Sequence, residues 1–234
     1  MNYVNHSAFV YLKNKYENIS VVDVGVARGS FLVELEKVWE DMGKVYAIGM
    51  DPCDHGVADH YDRFIGACAD NVEHPTIRDF YVNNMDEQSS SLCEVEVDNL
   101  SSDEFDRDKF YYSQGLLDNM ISEPKVEVVN VYNLDTIIKE ELPEGSVHFI
   151  KIDAEGRDLE IVKSLSDDTL ERTKFICIEC PNEIPRFKGE STKKECVDYL
   201  ESKKFKVFNC VDYQQDPTNR SPMSDVVFIN GEEL

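Results

Sequence analysis

The chain has 234 residues, enough for one well-buried core, and reads as a single α/β domain spanning 1–234. Lys and Arg number 24 against 47 Asp and Glu, a formal net charge of -23. So acidic a surface repels phosphate backbones and anionic lipid, which argues against nucleic acid as a partner.

No basic head followed by an apolar block opens the chain, and no apolar run approaches the ~20 residues of a membrane span. Both features point to a cytoplasmic protein with no membrane partner, and on that reading the glycosylation triplets at Asn5, Asn18 and Asn99 are chance matches. The seven cysteines are an odd set scattered along the chain, which fits reduced thiols packing as small apolar groups. Cys177 and Cys180 look superficially like a metal or redox pair, but they fall in a strand-like run that turns them to opposite faces.

From residue 19 onward, strand-like runs alternate with helical patterns, the signature of a mostly parallel sheet with crossover helices. A strand over 19–24 precedes a helix from Ser30 to about Asp41, with Phe31, Leu32, Leu35 and Val38 at helical spacing. Strands follow over 44–50, ending at Asp51-Pro52, and over 64–69. The tract 71–125 differs: it is acidic and serine-rich, with Phe110, Tyr111 and Tyr112 near its end. It is either a solvated loop region or an insertion folding over the site as a lid, and the aromatics favour the lid. Strands over 126–131, 148–152 and 175–179 alternate with helices starting at Leu134, Arg157 and Thr192. Residues 205–211 and 226–229 form a closing antiparallel pair.

Two segments carry chemistry. In the first, Asp23-x-Gly25-x-x-x-Gly29 joins a strand to a helix, an arrangement that presents backbone N–H groups at the helix start. A dinucleotide fingerprint would need glycine at positions 27 and 30, where Ala27 and Ser30 stand. The pattern is instead common in S-adenosylmethionine (SAM) enzymes. Gly25 and Gly29 let the chain pass close under the cofactor, Asp23 organises the loop, and Asp51 suits two ribose hydroxyls as an acceptor-only group. Either acid is otherwise an ordinary strand-end cap. Ala27 of the loop, and Ala69 and Asp70 after the third strand, complete the cofactor side. The second segment runs from Phe149 through Lys151 and Asp153 to Glu155 and Gly156, an apolar strand ending in a lysine and two acids. Strand ends of this kind line ligand crevices in open α/β sheets.

These residues resemble the FkbM family of SAM-dependent methyltransferases over most of 19–181. The resemblance rests on the Asp23-Val24-Gly25 loop, Gly43 to Ala47 running on to Asp51-Pro52, Ser89-Ser90-Ser91-Leu92 and Asn133-Leu134-Asp135. Phe149 to Gly156 and Ile178-Glu179 complete it. The family more often has Glu before the proline and Val within the last acid pair, where Asp51 and Ala154 stand here. The tract 92–125 aligns with nothing in the family. The resemblance implies a class I Rossmann-like fold, a mostly parallel seven-stranded sheet with helices on both faces and an antiparallel C-terminal strand. It also implies methylation of a hydroxyl on a saccharide or small natural-product-like acceptor.

On that reading Asp153 is the general base, with His55, His60 or His74 as the alternative, and Lys151 orients the acceptor or tunes Asp153. Ser90, Glu155 and Glu179 fall on the substrate side. Asp153, Glu155 and Glu179 would be able to hold a divalent cation, but no metal is predicted; Glu155 and Glu179 are read as fixing the site's shape through loop amides. His148, near the start of its strand, reads as a satisfied core histidine. The competing functions are a ribose 2′-O-methyltransferase, disfavoured by charge, and a non-catalytic SAM-binding module.

Overall fold

The computed structural model describes residues 4–40, 42–83, 90–100, 125–212 and 223–234. The main sheet contains β1 (Ile19–Val24), β2 (Val45–Met50) and β3 (Arg63–Ile65). A smaller sheet holds β4 (Cys68–Ala69), β5 (Thr76–Val82) and β6 (Lys125–Tyr132); the main sheet resumes with β7 (Val147–Ile152), β8 (Thr173–Pro181), β9 (Phe205–Asp212) and β10 (Met223–Asn230). The seven main strands lie in the order β3-β2-β1-β7-β8-β10-β9. Pairing is parallel from β3 to β8, and β10 runs antiparallel to both β8 and β9. This is the mostly parallel seven-stranded sheet with an antiparallel C-terminal strand that the resemblance implied. Reversal of strand order between β1 and β7 opens a crevice at their C-terminal ends, where ligands bind in such folds.

Alternation along the central strands feeds two cores. Val21, Phe149 and Phe175 face α1 (His6–Lys15) and α2 (Ser30–Trp39), which contribute Phe9, Leu12, Phe31 and Leu35. Val22, Ile150, Ile152 and Ile176 face the opposite layer, built from Leu134 and Ile138, Leu159 and Val162, Leu170, and Leu200 of successive helices. Cys177 packs in the first core and Cys180 in the second, as period-two alternation requires, and none of the seven cysteines is in a disulfide. The helix Lys193–Ser202 is set by a capping box: Thr192 and Glu195 exchange side-chain and backbone hydrogen bonds.

Three local expectations are corrected. The single strand expected over 64–69 is divided. The Ala67 amide donates to the Ile65 carbonyl at 2.8 Å, a γ-type turn at Gly66, which sends β3 to the main sheet and β4 to the smaller one. The strand expected over 126–131 exists but joins that smaller sheet, in the order β4-β6-β5. Within the tract expected as loop or lid, Thr76–Val82 is a strand in antiparallel register with β6. Its sequence hides this because only Phe80 and Val82 are buried, so the alternation is weak. Residues 84–89 and 101–124 of the tract lie outside the described residues. The helix His6–Lys15 was also unread, since it buries only Ala8, Phe9 and Leu12 and its N-cap Asn5 makes no side-chain capping bond. No helix among the described residues is long and apolar enough to cross a membrane.

Phe149 is the hub of the first core, with ring centroids 5.3 Å from Phe9, 5.5 Å from Phe31 and 6.0 Å from Phe175. Phe149→Ala is expected to cost about 3–5 kcal/mol in urea unfolding. Ile77→Ala, on the exposed face of β5, should change stability by no more than about 0.5 kcal/mol.

Candidate functional site

The loop after β1 is shaped by three left-handed residues, Gly25 (φ 74), Ala27 (φ 47) and Gly29 (φ 72). A side chain at Gly25 is excluded twice over, because an added Cβ would lie 1.7 Å from the carbonyl oxygen of Asp153. The cofactor loop and the loop after β7 therefore touch backbone to backbone. Gly25 donates to the Met50 carbonyl at 2.9 Å, and Asp153 donates to the Val24 carbonyl at 3.0 Å. Asp51 ends β2 with Oδ2 accepting from the Ala27 amide at 3.0 Å and Oδ1 from the Cys53 amide at 2.8 Å. Burial pushes its pKa up, and these two amides act against the rise.

Register brings the charges together: Asp23 of β1 lies opposite Lys151 of β7. Lys151 Nζ donates to the Gly25 carbonyl at 2.8 Å, and lies 3.2 Å from Asp153 Oδ2 and 3.6 Å from Asp23 Oδ1. Burial opposes its charge, but Asp153 and Asp23 outweigh burial and hold its pKa above the usual lysine value. Asp23 is fully buried and does not face the crevice. Its Oδ2 accepts from the Tyr61 hydroxyl at 2.6 Å. Burial pushes its carboxyl up, countered by Lys151 and Tyr61. Asp153 differs, with its side chain 37% exposed.

Beyond Asp153 lies a second charge cluster, centred on Arg186. This guanidinium is buried and reaches Glu155 Oε2 at 3.1 Å, Glu179 Oε2 at 3.2 Å and Glu190 Oε1 at 2.9 Å. Carboxylate oxygens of Asp153, Glu155 and Glu179 all lie within 4.8 Å of one another. Glu155 and Glu179 were expected to bond loop amides; here both pair with the Arg186 guanidinium. Glu155 is itself left-handed (φ 49), and its carbonyl accepts from Ser91 Oγ at 2.5 Å. The loop amides go instead to Asp158, which accepts from Ala154 at 3.4 Å and Gly156 at 3.3 Å. Burial, then the charges of Asp153 and Glu155, push Asp158 well above the carboxylate range, and burial with Asp153 does the same to Glu179.

The remaining expected residues make other contacts. Ser90 Oγ accepts from the Asn83 amide at 3.0 Å. Ala69 is core. Asp70 turns its carboxylate to Arg157, at 2.6 Å to Nη2, and to Arg78. His148 Nδ1 accepts from the Ser20 amide at 3.0 Å, and burial lowers its pKa to about 4, the satisfied core histidine expected. Of the alternative bases, His60 and His74 are exposed, while His55 is half-buried beside Asp51. Sequence reasoning assigned no site role to Tyr61, Ser91, Arg157, Asp158 and Arg186, although Ser91 stands in the Ser89-to-Leu92 motif and Asp158 is an acid at a helix start.

Residues 23–207 match the model of the methyltransferase FkbM domain. The chain belongs to the FkbM methyltransferase family. No curated protein matches the sequence. Among solved structures, the chain is similar to the methyltransferase FkbM of Methylobacillus flagellatus KT, at 12% identity, covering 94% of this chain and 47% of that one, with a TM-score of 0.47. It is also similar to the SAM-bound magnesium protoporphyrin IX methyltransferase of Synechocystis PCC 6803, at 7% identity, 97% and 77% coverage and a TM-score of 0.45. A third similar structure is a putative rRNA-methylase from Clostridium thermocellum, at 14% identity, 98% and 96% coverage and a TM-score of 0.45. This FkbM domain is thus a SAM-dependent methyltransferase.

Two substitutions probe the geometry. Gly25→Ala should lose about 3 kcal/mol or more, from left-handed strain plus overlap with the Asp153 carbonyl. Gly56→Ala (φ 80, nothing within 4 Å) should lose only the strain, about 1–2 kcal/mol; equal losses in urea unfolding would contradict the backbone contact. Arg186→Gln strips the cation from a set of buried carboxylates that includes Glu179, whose folded pKa burial and the charge of Asp153 already raise. Such an acid contributes stability at low pH that is lost as pH rises. The variant should therefore lose about 3–5 kcal/mol at pH 8 and clearly less at pH 5.

Proposed function

We propose that this FkbM domain is an O-methyltransferase acting on a hydroxyl of a saccharide or small natural-product-like acceptor, with Asp153 as general base. The observation that carries the reading is the position of Lys151. One ammonium ties the cofactor loop, through the Gly25 carbonyl, to Asp153, the most exposed acid of the Lys151 cluster.

The residues fit SAM. The bare Gly25-to-Gly29 turn offers a close backbone approach, and each Asp51 oxygen holds one amide, leaving lone-pair capacity for ribose hydroxyl donors. Bound SAM supplies an electrophilic methyl group. Asp153 then takes the proton of the attacking hydroxyl, while Lys151 positions Asp153 and balances its charge. Glu155 and Glu179 accept hydrogen bonds from neighbouring hydroxyls of a polyhydroxylated acceptor, and an acid-lined crevice disfavours a phosphate backbone. Cysteines outside any disulfide and the acidic composition support a single domain working in the cytoplasm.

Asp153→Asn should bind SAM within about threefold of wild type by calorimetry, yet lose transfer by about 10²–10⁴-fold on a panel of sugar and polyketide-type alcohols. Undiminished transfer would remove Asp153 from the role of base. Absence of SAM binding by the wild-type protein would sink the whole proposal.

A further inference from the structure

A cluster of different chemistry lies in the loop after β2. Asp51, Cys53 and His55 contribute one carboxylate oxygen, one sulfur and one imidazole nitrogen, all within 4.8 Å of one another. Alternate residues of a five-residue loop converge because the intervening Asp54 is turned into its own backbone, with Oδ1 accepting from the Gly56 amide at 2.8 Å and from Val57 at 3.2 Å. Cys53 packs against the small core that contains Cys68, so a second thiol backs the cluster.

We propose that Asp51, Cys53 and His55 form a zinc-binding site whose occupation competes with SAM for Asp51. The metal-binding half stands by itself, and the competition rests on Asp51 holding the ribose.

Donor chemistry selects the ion. Thiolate and imidazole suit zinc and its neighbours in the transition series, whereas magnesium and calcium take oxygen. Zinc bonds of about 2.0–2.3 Å set tetrahedral ligand atoms roughly 3.3–3.8 Å apart, so donors already within 4.8 Å need to close by at most ~1.5 Å. Binding exchanges the Cys53 thiol proton for the metal, releasing that proton to solvent, with no redox change. The fourth position falls to water, as in other three-ligand zinc sites. The carboxylate trio of Asp153, Glu155 and Glu179 is a different case: all its donors are oxygens, and the Arg186 guanidinium already bridges two of them. In the Asp51 loop, metal coordination would draw the carboxylate from the ribose hydroxyls, coupling the two ligands negatively.

The test uses the full chain under a phosphine reductant, which prevents Cys53 and Cys68 from forming a disulfide. Zinc is titrated against a chromophoric chelator, and SAM is titrated by calorimetry with and without zinc. One zinc per chain is expected, and Co²⁺ in its place should show a thiolate charge-transfer band. With free zinc at ten times its own Kd, the apparent Kd for SAM should rise about tenfold. Cys53→Ser/His55→Gln keeps the Cys53 amide that holds Asp51. It should bind SAM as wild type does without zinc, show an unchanged circular dichroism spectrum, and lose both zinc uptake and zinc sensitivity. Uptake that persists in this variant, or no uptake by wild type, overturns the site. Uptake that leaves SAM affinity unchanged overturns the competition. If SAM fails to bind even without zinc, the cofactor reading falls, while the chelator titration still decides the metal site.

Discussion

Lys151 reaches the crevice only because β1 and β7 pair with Asp23 opposite it, and from that position its ammonium meets three oxygens on three different segments. Two carboxylates so close together in a buried edge would repel each other strongly without it. With it, Asp23 stays under the loop, held also by Tyr61, and Asp153 is left as the member that faces out. The glycine loop after β1 and the loop after β7 thus share one counter-charge.

Arg186 repeats the arrangement a few ångströms further along, beside the loop after β7. A guanidinium suits three carboxylates where an ammonium would not, because its planar fork can face several acceptors at once. Breaking such a buried ion cluster costs more than forming it contributes, so its presence speaks for shape and specificity more than for stability. What it specifies is the fixed position of Glu155 and Glu179 beside Asp153.

The sequence displayed the sheet well where strands are mostly buried, because 19–24, 148–152 and 175–179 are predominantly apolar. It also displayed the glycine loop, Asp51, Lys151 and Asp153, since strand ends in such sheets converge by topology. It concealed β5, half-exposed and weakly alternating, and the division at Gly66, which turns on one local hydrogen bond. Arg186 was concealed for another reason. An arginine in a loop reads as solvated, and only the fold reveals that Glu155 and Glu179 reach it from two other segments, beside Glu190 of its own loop. Asp70 was legible as a strand end but not in its partners, because Arg78 and Arg157 meet it only once the smaller sheet has folded back.

That last contact has a mechanical meaning. Asp70 follows β4 of the smaller sheet, Arg78 belongs to β5, and Arg157 sits directly after Glu155-Gly156. Gly156 is in turn wedged against Phe187, next to Arg186. The smaller sheet is therefore tied to the loop after β7, which carries Glu155, through one carboxylate and two guanidinium groups.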